Sequence, residues 1–306
     1  MKILLLGSAG QVGWELRRAL APLGDVIALR REPDNGLCGD LENLDGLRRT
    51  VRRLEPRAIV NAAAYTDVDR AEAEPERAER INATAPGVLA AEAARLNALF
   101  VHYSSDYVFD GSGSEAWRED DAPAPLSVYG ATKWRGEQAI RDAGCRHLIF
   151  RTQWVYAVRG KNFMRKMLEL ASEERDTVEL VADQFGAPTG AELIADVSSH
   201  ALMLAAARDG PTGTYHLAAR GETTWHAYAC FILGEARRAG WPVRLADAAI
   251  VPVDTDAFVR PARRPRNSRL CVDRLEQTFG LRLPQWRAGV ARAVEECAGA
   301  GKNPLS

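Results

Sequence analysis

The chain has 306 residues, 46% of them apolar and 26% charged, with 40 basic residues against 41 acidic ones and a net charge of −1. That balance gives no footing for nucleic acid or an anionic membrane surface, and the proportions suit a globular protein of about two domains. Five cysteines, Cys38, Cys145, Cys230, Cys271 and Cys297, form no CxxC spacing, which argues against a disulfide framework or zinc site and for reduced thiols in the cytoplasm.

The first apolar run stops at Gly7. It falls short of the ~7–15 residues of a signal-peptide core and reads as a buried strand, Ile3–Leu6. No run approaches the ~18 apolar residues of a membrane span. A helix is predicted from Val12 to Leu23, a strand at Val26–Leu29, a helix at Leu44–Leu54 and a strand at Ala58–Val60. A long helical stretch is expected over Ala71–Leu96. Then come a strand at Leu99–Tyr103, a helix at Tyr129–Ala143 and a strand at His147–Phe150. Continuous apolar strands alternating with amphipathic helices predict an α/β fold, a Rossmann-type doubly wound parallel sheet.

The pattern loosens after about residue 155. Helices are expected at Phe163–Ser172, Ala191–Arg208, Trp225–Ala239 and Trp286–Cys297, and short strands at Val178–Val181 and Thr214–Leu217. The Pro- and Arg-rich stretch Val251–Ser268 reads as loop, and Gly299–Ser306 as a frayed tail. Residues 1–155 are thus expected to form an NAD(P)-binding domain that also carries the catalytic groups. Residues 156–306 are expected to form mainly a substrate lobe, with some segments returning to the first domain.

Gly7, Gly10 and Gly13 lie between the first strand and first helix. Such glycines permit a tight turn, backbone approach to a pyrophosphate and close helix packing, and the helix N-terminus offers free N–H groups to phosphates. The second strand ends Leu29-Arg30-Arg31. A basic side chain there accepts a ribose 2′-phosphate, so NADPH is favoured, with NADH as the alternative. Asp40 and Leu41 lie further on, and Asn61-Ala62-Ala63-Ala64 offers small residues against which a flat cofactor fits.

Tyr129 and Lys133 stand four apart, on one face of a helix. A lysine cation one turn away is expected to lower the phenol's pKa, and the phenol then delivers a proton to a carbonyl oxygen while a nicotinamide gives hydride to its carbon. Ser104 and Ser105 end the fourth strand, where open sheets bind ligands.

With these residues in place, the chain resembles the extended short-chain dehydrogenase/reductases, and within them the dTDP-4-dehydrorhamnose reductases. The likeness runs through Gly7–Gly13, Asn61–Glu72, Tyr103–Gly111, Val128–Lys133, Arg151–Tyr156, Asp183–Gly190 and Arg263–Ser268. It implies reduction of the C4 keto group of dTDP-4-dehydro-L-rhamnose to dTDP-L-rhamnose, a precursor of cell-surface polysaccharide. It implies Ser105, Tyr129 and Lys133 as catalytic residues. Gly10, Gln11, Val12, Arg30, Asp40, Leu41, Ala63, Ala64 and Tyr65 would line the cofactor, with Tyr129 and Lys133 beside it. Asp106 and Trp154 would contact the sugar. Read from the residues, Arg263, Arg264 and Arg266 in the Pro-bearing loop suit a dTDP diphosphate, Asn267 beside them is taken as a substrate residue, and Phe185 is either a thymine-stacking ring or a buried one. Ser105 stands where these reductases often carry Thr, Gln153 replaces a usual Ser, and Arg30 replaces an Asp seen in some members. Some members bind Mg²⁺ through glutamates across a dimer interface. Glu192 and Glu296 occupy comparable places, but two carboxylates do not supply six oxygens, and no metal is assigned. A homodimer is an expectation of the same kind.

Two other functions share the scaffold. A nucleotide-sugar epimerase or dehydratase would recycle NAD⁺, and a dehydratase would need further carboxylates near residues 104–106, where only Asp106 stands. A non-catalytic dinucleotide-binding regulatory subunit would have no need of Tyr129 and Lys133.

Overall fold

The computed structural model describes residues 1–173, 175–257 and 259–300. Five strands from the first half, β1 (Lys2–Leu6), β2 (Asp25–Leu29), β3 (Ala58–Asn61), β4 (Leu99–Ser105) and β5 (His147–Thr152), join a late strand, Gly213–His216, in one sheet. All its pairings are parallel, and the spatial order is 213–216, β5, β4, β3, β1, β2. The chain therefore leaves β1 for β2 on one side and crosses back to β3 on the other. Such a reversal opens a crevice at the carboxyl ends of the strands. Register fixes what meets there. Leu6 pairs with both Leu29 and Asn61, so Gly7, Arg30 and Ala62 leave the sheet side by side.

The strands are apolar throughout because helices cover both faces. Ile3, Leu4, Leu5 and Leu6 are all 0% exposed. One face packs on Leu16, Leu20, Ile194, Leu202 and Phe279, the other on Leu47, Val51, Leu89, Ala93 and Ile140. Each such leucine contributes about 1.5–3 kcal/mol on burial. A further core, built on Tyr156, Met164, Leu168, Tyr228, Ile232, Trp286 and Val294, belongs to the second half.

The stretch expected as one helix over 71–96 is broken. It forms Val68–Ala73, Pro75–Glu79, a π-helical turn Arg80–Thr84 and Ala85–Leu96. Pro75 has no N–H to continue the first piece, so it starts the next one. The π turn seats Asn82, whose amide bonds both the Tyr65 backbone and Thr132 Oγ1 on the catalytic helix. The Pro- and Arg-rich stretch is not wholly loop either. Ile250–Val253 is a strand paired in parallel with Val178–Val181, outside the main sheet. That pairing is long-range and leaves no periodic signature in so short a run. Asp273–Phe279 is a helix in a stretch to which no element was assigned from the sequence. The last helix runs to Ala300, so Gly299 and Ala300 are not tail, and the rest of the expected tail, 301–306, lies outside the described residues.

Candidate active site

Two of the three glycines in the turn are packed against backbone too closely for a Cβ. Gly7 has φ 78°, and a Cβ there would stand 2.5 Å from the Ala63 nitrogen. A Cβ on Gly13 would stand 2.0 Å from the Gly7 oxygen. The helix α1 (Gln11–Leu20) can therefore start directly on the turn only with glycine at both places. Gly10 is its N-cap, with no side-chain cap and no acidic residue in the first turn. A Cβ on Gly10 would touch only the Gly7 oxygen, at 3.4 Å. This glycine faces open space, and the free N–H groups after it give a phosphate a ready seat. Gln11 and Val12 are half-buried beside it. A dinucleotide phosphate fits this cradle.

Arg30 follows β2 and makes no ion pair among the described residues, whereas Arg31 pairs with Glu42 and, at 3.6 Å, with Asp40. Asp40 also accepts from the Glu42 backbone at 3.1 Å, and Leu41 is buried. Ala63 and Ala64 are half-buried along the β3 exit. Tyr65 turns inward, its ring against Ala71 and Ala78 and its hydroxyl donating to Glu74 Oε2 at 3.0 Å.

The catalytic helix is Val128–Asp142, capped by Ser127 Oγ accepting from the Gly130 nitrogen at 3.2 Å. Tyr129 packs edge-on against Tyr107 with ring centres 5.6 Å apart. Burial pushes its phenol up to about 12, and a hydrogen bond with Ser105 works against that rise. Lys133 is 1% exposed and donates to the Tyr103 carbonyl. Burial pushes its ammonium down to about 8, opposed by the Glu137 charge. The expected lowering of the phenol by Lys133 is therefore not what the protein alone provides. Desolvation dominates both groups, and it holds Tyr129 as the protonated acid that a reduction requires.

Ser105 is buried at the end of β4, accepting from the Tyr107 nitrogen at 3.2 Å and donating to Asp106 Oδ1 at 3.0 Å. Burial raises the Asp106 carboxyl to about 6. Its Oδ2 has no hydrogen bond of normal length, although Ser268 lies close enough to oppose the rise. An unsatisfied buried carboxylate oxygen next to Ser105 is a ready acceptor for a substrate hydroxyl.

A cavity of about 840 Å³ opens beyond Tyr107. Its wall includes Asp69, Gln184, Trp225, Arg263, Arg264 and Arg266. Arg264 reaches it, but its guanidinium is held by Asp69 in a two-pronged pair at 3.0 and 2.8 Å. Arg266 pairs with Asp256 at 2.9 Å. Trp154 sits in the left-handed region, φ 45°, and lies flat on Trp225 with ring centres 3.7 Å apart. One face of its ring is thus covered by an aromatic neighbour. Of the expected substrate residues, only Arg263, Arg264 and Arg266 stand in the wall of this cavity. The Phe185 ring is capped by Arg269 at 4.2 Å. The Asn267 amide donates to the Ser112 and Glu115 carbonyls at 3.2 and 2.8 Å and accepts from Arg269, tying two loops together. Both roles are set by partners distant in sequence.

The model of the family described as RmlD substrate binding domain matches residues 1–298. A dTDP-4-dehydrorhamnose reductase of Escherichia coli strain K12 is 51% identical over 296 residues, 97% of this chain and 98% of that protein. The chain belongs to the dTDP-4-dehydrorhamnose reductase family. A reductase of the same name from Burkholderia thailandensis is 47% identical over 300 residues, 97% of this chain and 99% of that protein. The crystal structure of the Bacillus anthracis dTDP-4-dehydrorhamnose reductase in complex with NADP aligns with TM-score 0.86 at 31% identity, covering 96% of this chain and 99% of that one.

For a member of the dTDP-4-dehydrorhamnose reductase family, the glutamate pair is informative. Glu192 is held by Arg292, which also feels the charge of Glu296. Among the described residues no three His, Cys, Asp or Glu side chains gather as metal ligands. A Mg²⁺ built on these two glutamates does not fit, since an arginine already answers Glu192. Nor is any helix among the described residues long and apolar enough to cross a membrane. The sequence reading also missed His102, Asp69, Gln184 and Trp225. Asp69 lies inside the family-like stretch 61–72, but nothing local assigned it to Arg264.

Proposed function

We propose that the chain reduces the C4 keto group of dTDP-4-dehydro-L-rhamnose to dTDP-L-rhamnose with NADPH. The single observation that carries the chemistry is the buried cluster of Tyr129, Ser105 and Lys133 at the carboxyl end of β4, beside the open glycine turn. The substrate is named by near full-length identity to reductases of that name, and the cofactor by the fit of the glycine turn and Arg30.

A reduced nicotinamide bound there supplies the hydride for the keto carbon. Tyr129 gives its phenolic proton to the keto oxygen. Ser105 turns its one hydroxyl proton from Asp106 Oδ1 to the same oxygen, and Asp106 Oδ2 accepts from a neighbouring sugar hydroxyl. Lys133 holds the ribose next to the nicotinamide and balances the charge left on Tyr129. Trp154, backed by Trp225, presents the rest of its surface to the deoxysugar, and Arg263 and Arg264 attract the diphosphate.

We further propose that residues 1–155 mainly hold the cofactor and 156–306 mainly the sugar nucleotide, with Ala191–Ala205 and Gly213–His216 packed back onto the first part. A cytoplasmic setting and a homodimer belong to the same proposal.

The test is incubation with the keto sugar and NADPH, reading the loss of reduced-nicotinamide absorbance. Oxidation matched by dTDP-L-rhamnose formation is expected. Turnover of the keto sugar with no net NADPH oxidation would instead indicate an epimerase.

A further inference from the structure

A second, smaller cavity of about 300 Å³ adjoins the glycine turn, with Gly10, Gln11, Trp14, Arg30 and Arg159 in its wall. Arg30 and Arg159 come to it from different segments of the chain. Arg30 follows β2, and Arg159 sits on the loop before the helix Phe163–Ala171. That loop is fastened to the turn by Asn162, whose amide donates to Gln11 Oε1 at 2.8 Å and to the Ala157 carbonyl at 2.7 Å. The Arg159 guanidinium lies over the Trp14 ring, 4.0 Å from its centre. Among the described residues neither Arg30 nor Arg159 makes an ion pair, unlike Arg31 with Glu42 and Asp40.

Two cations facing one cavity repel unless an anion stands between them. The helix α1 adds its positive end, with no acidic residue in its first turn. A guanidinium held over an indole loses less freedom on meeting a phosphate than a free one does. The pyrophosphate seat is the run of N–H groups at the start of α1, whereas Arg30 stands at the end of β2, where the adenosine ribose hydroxyls lie in such folds.

We infer that Arg159 is the second cation of a phosphomonoester site whose first is Arg30, and that the two together grip the 2′-phosphate of the dinucleotide. Cofactor choice is then set jointly by the first half of the chain and by a loop of the second. The inference rests on the NADPH reading given above.

The test is calorimetric binding of adenosine 2′,5′-bisphosphate and of 5′-AMP to the wild-type protein and to Arg159→Ala. Neither probe contains nicotinamide or sugar, so the readout is independent of turnover. Arg159 is exposed, so its truncation leaves the core intact. The wild type should prefer the bisphosphate. Arg159→Ala should weaken the bisphosphate roughly tenfold or more, as for loss of a charge-assisted hydrogen bond, and leave AMP unchanged. In turnover, the same variant should raise KM for NADPH and not for NADH. Equal weakening of both probes would place Arg159 at the pyrophosphate and overturn the inference, as would no weakening of either. A wild type that binds both probes equally would overturn the NADPH reading itself, and this inference with it.

Discussion

Lys133 Nζ and His102 Nε2 face each other across 3.5 Å beneath the catalytic cleft, both groups fully buried. Asn61 fixes the imidazole. Its Oδ1 accepts from the Ala63 nitrogen at 3.2 Å, so its amide N–H faces His102 Nδ1, also at 3.2 Å. Asn61 thus orients the ring with Nε2 towards Lys133. Burial and the Lys133 charge hold the imidazole well below its usual pKa, so it stays neutral. Burial likewise favours loss of the Lys133 proton, opposed by the Glu137 charge.

The pH dependence of the reaction follows. Lys133, lowered to about 8, carries its charge below that value and loses it as pH rises through it. Tyr129, raised to about 12, stays protonated over the whole working range. Asp106, raised to about 6, becomes neutral below that value. The profile of kcat/KM should be a bell with limbs near 6 and 8, falling about tenfold per pH unit outside them. Asp106→Asn should remove the acid limb and keep the alkaline one.

Tyr129→Phe should lower kcat by roughly 10²–10⁴, the usual worth of a placed general acid. The ring contact with Tyr107 survives, so cofactor binding should hardly change. Stopped-flow turnover and calorimetry on one preparation check both. Unchanged turnover would remove Tyr129 from the chemistry.

Arg263 is exposed, lies in the wall of the large cavity, and makes no ion pair among the described residues. Arg264, its neighbour, is held by Asp69. Arg263→Ser should therefore raise KM for the sugar nucleotide roughly tenfold with kcat little changed, as loss of one charged hydrogen bond to a phosphate would. Steady-state kinetics at two salt concentrations measures it. The wild type should lose affinity with salt more steeply than the variant.

The floor of the site depends on a buried ion pair. Arg151 and Glu137 are 1% and 0% exposed and meet through two hydrogen bonds at 2.9 and 2.8 Å. Glu137 comes from the catalytic helix, one turn after Lys133, and Arg151 from β5. Glu137→Leu removes one partner and strands the other charge, so unfolding in urea should show a loss of about 3–5 kcal/mol. A loss under about 1 kcal/mol would mean that Arg151 finds another partner or reaches water.

The legible parts of this molecule are local. A strand, a glycine turn and a helix start are written within residues 2–20. Tyr129 and Lys133 are read from their spacing on one helix face taken together with the glycine turn and the serines that end β4. Ser104 and Ser105 follow from the end of a strand, whereas Asp106 comes with the family resemblance. The parts that escaped depend on distant partners. Phe185 reads equally as a base-stacking or a buried ring, and only the fold sets Arg269 over it. Asn267 looked like a ligand residue, yet its amide holds two loops. Arg159 sits in a loop without periodicity, and only the fold sets it beside Arg30. The strand Ile250–Val253 needed Val178–Val181 to exist, and the helix over 71–96 was divided by Pro75, whose effect is local but was outweighed by the Ala-rich run around it.

The most direct measurement follows the hydride itself. The keto sugar is turned over with NADPH deuterated at C4 of the nicotinamide, and the product is read by NMR. The account predicts one deuterium on the sugar C4 for every NADPH oxidised, with both signals lost together in Tyr129→Phe. A product without deuterium at C4, or a rearranged sugar formed with no NADPH consumed, would contradict it.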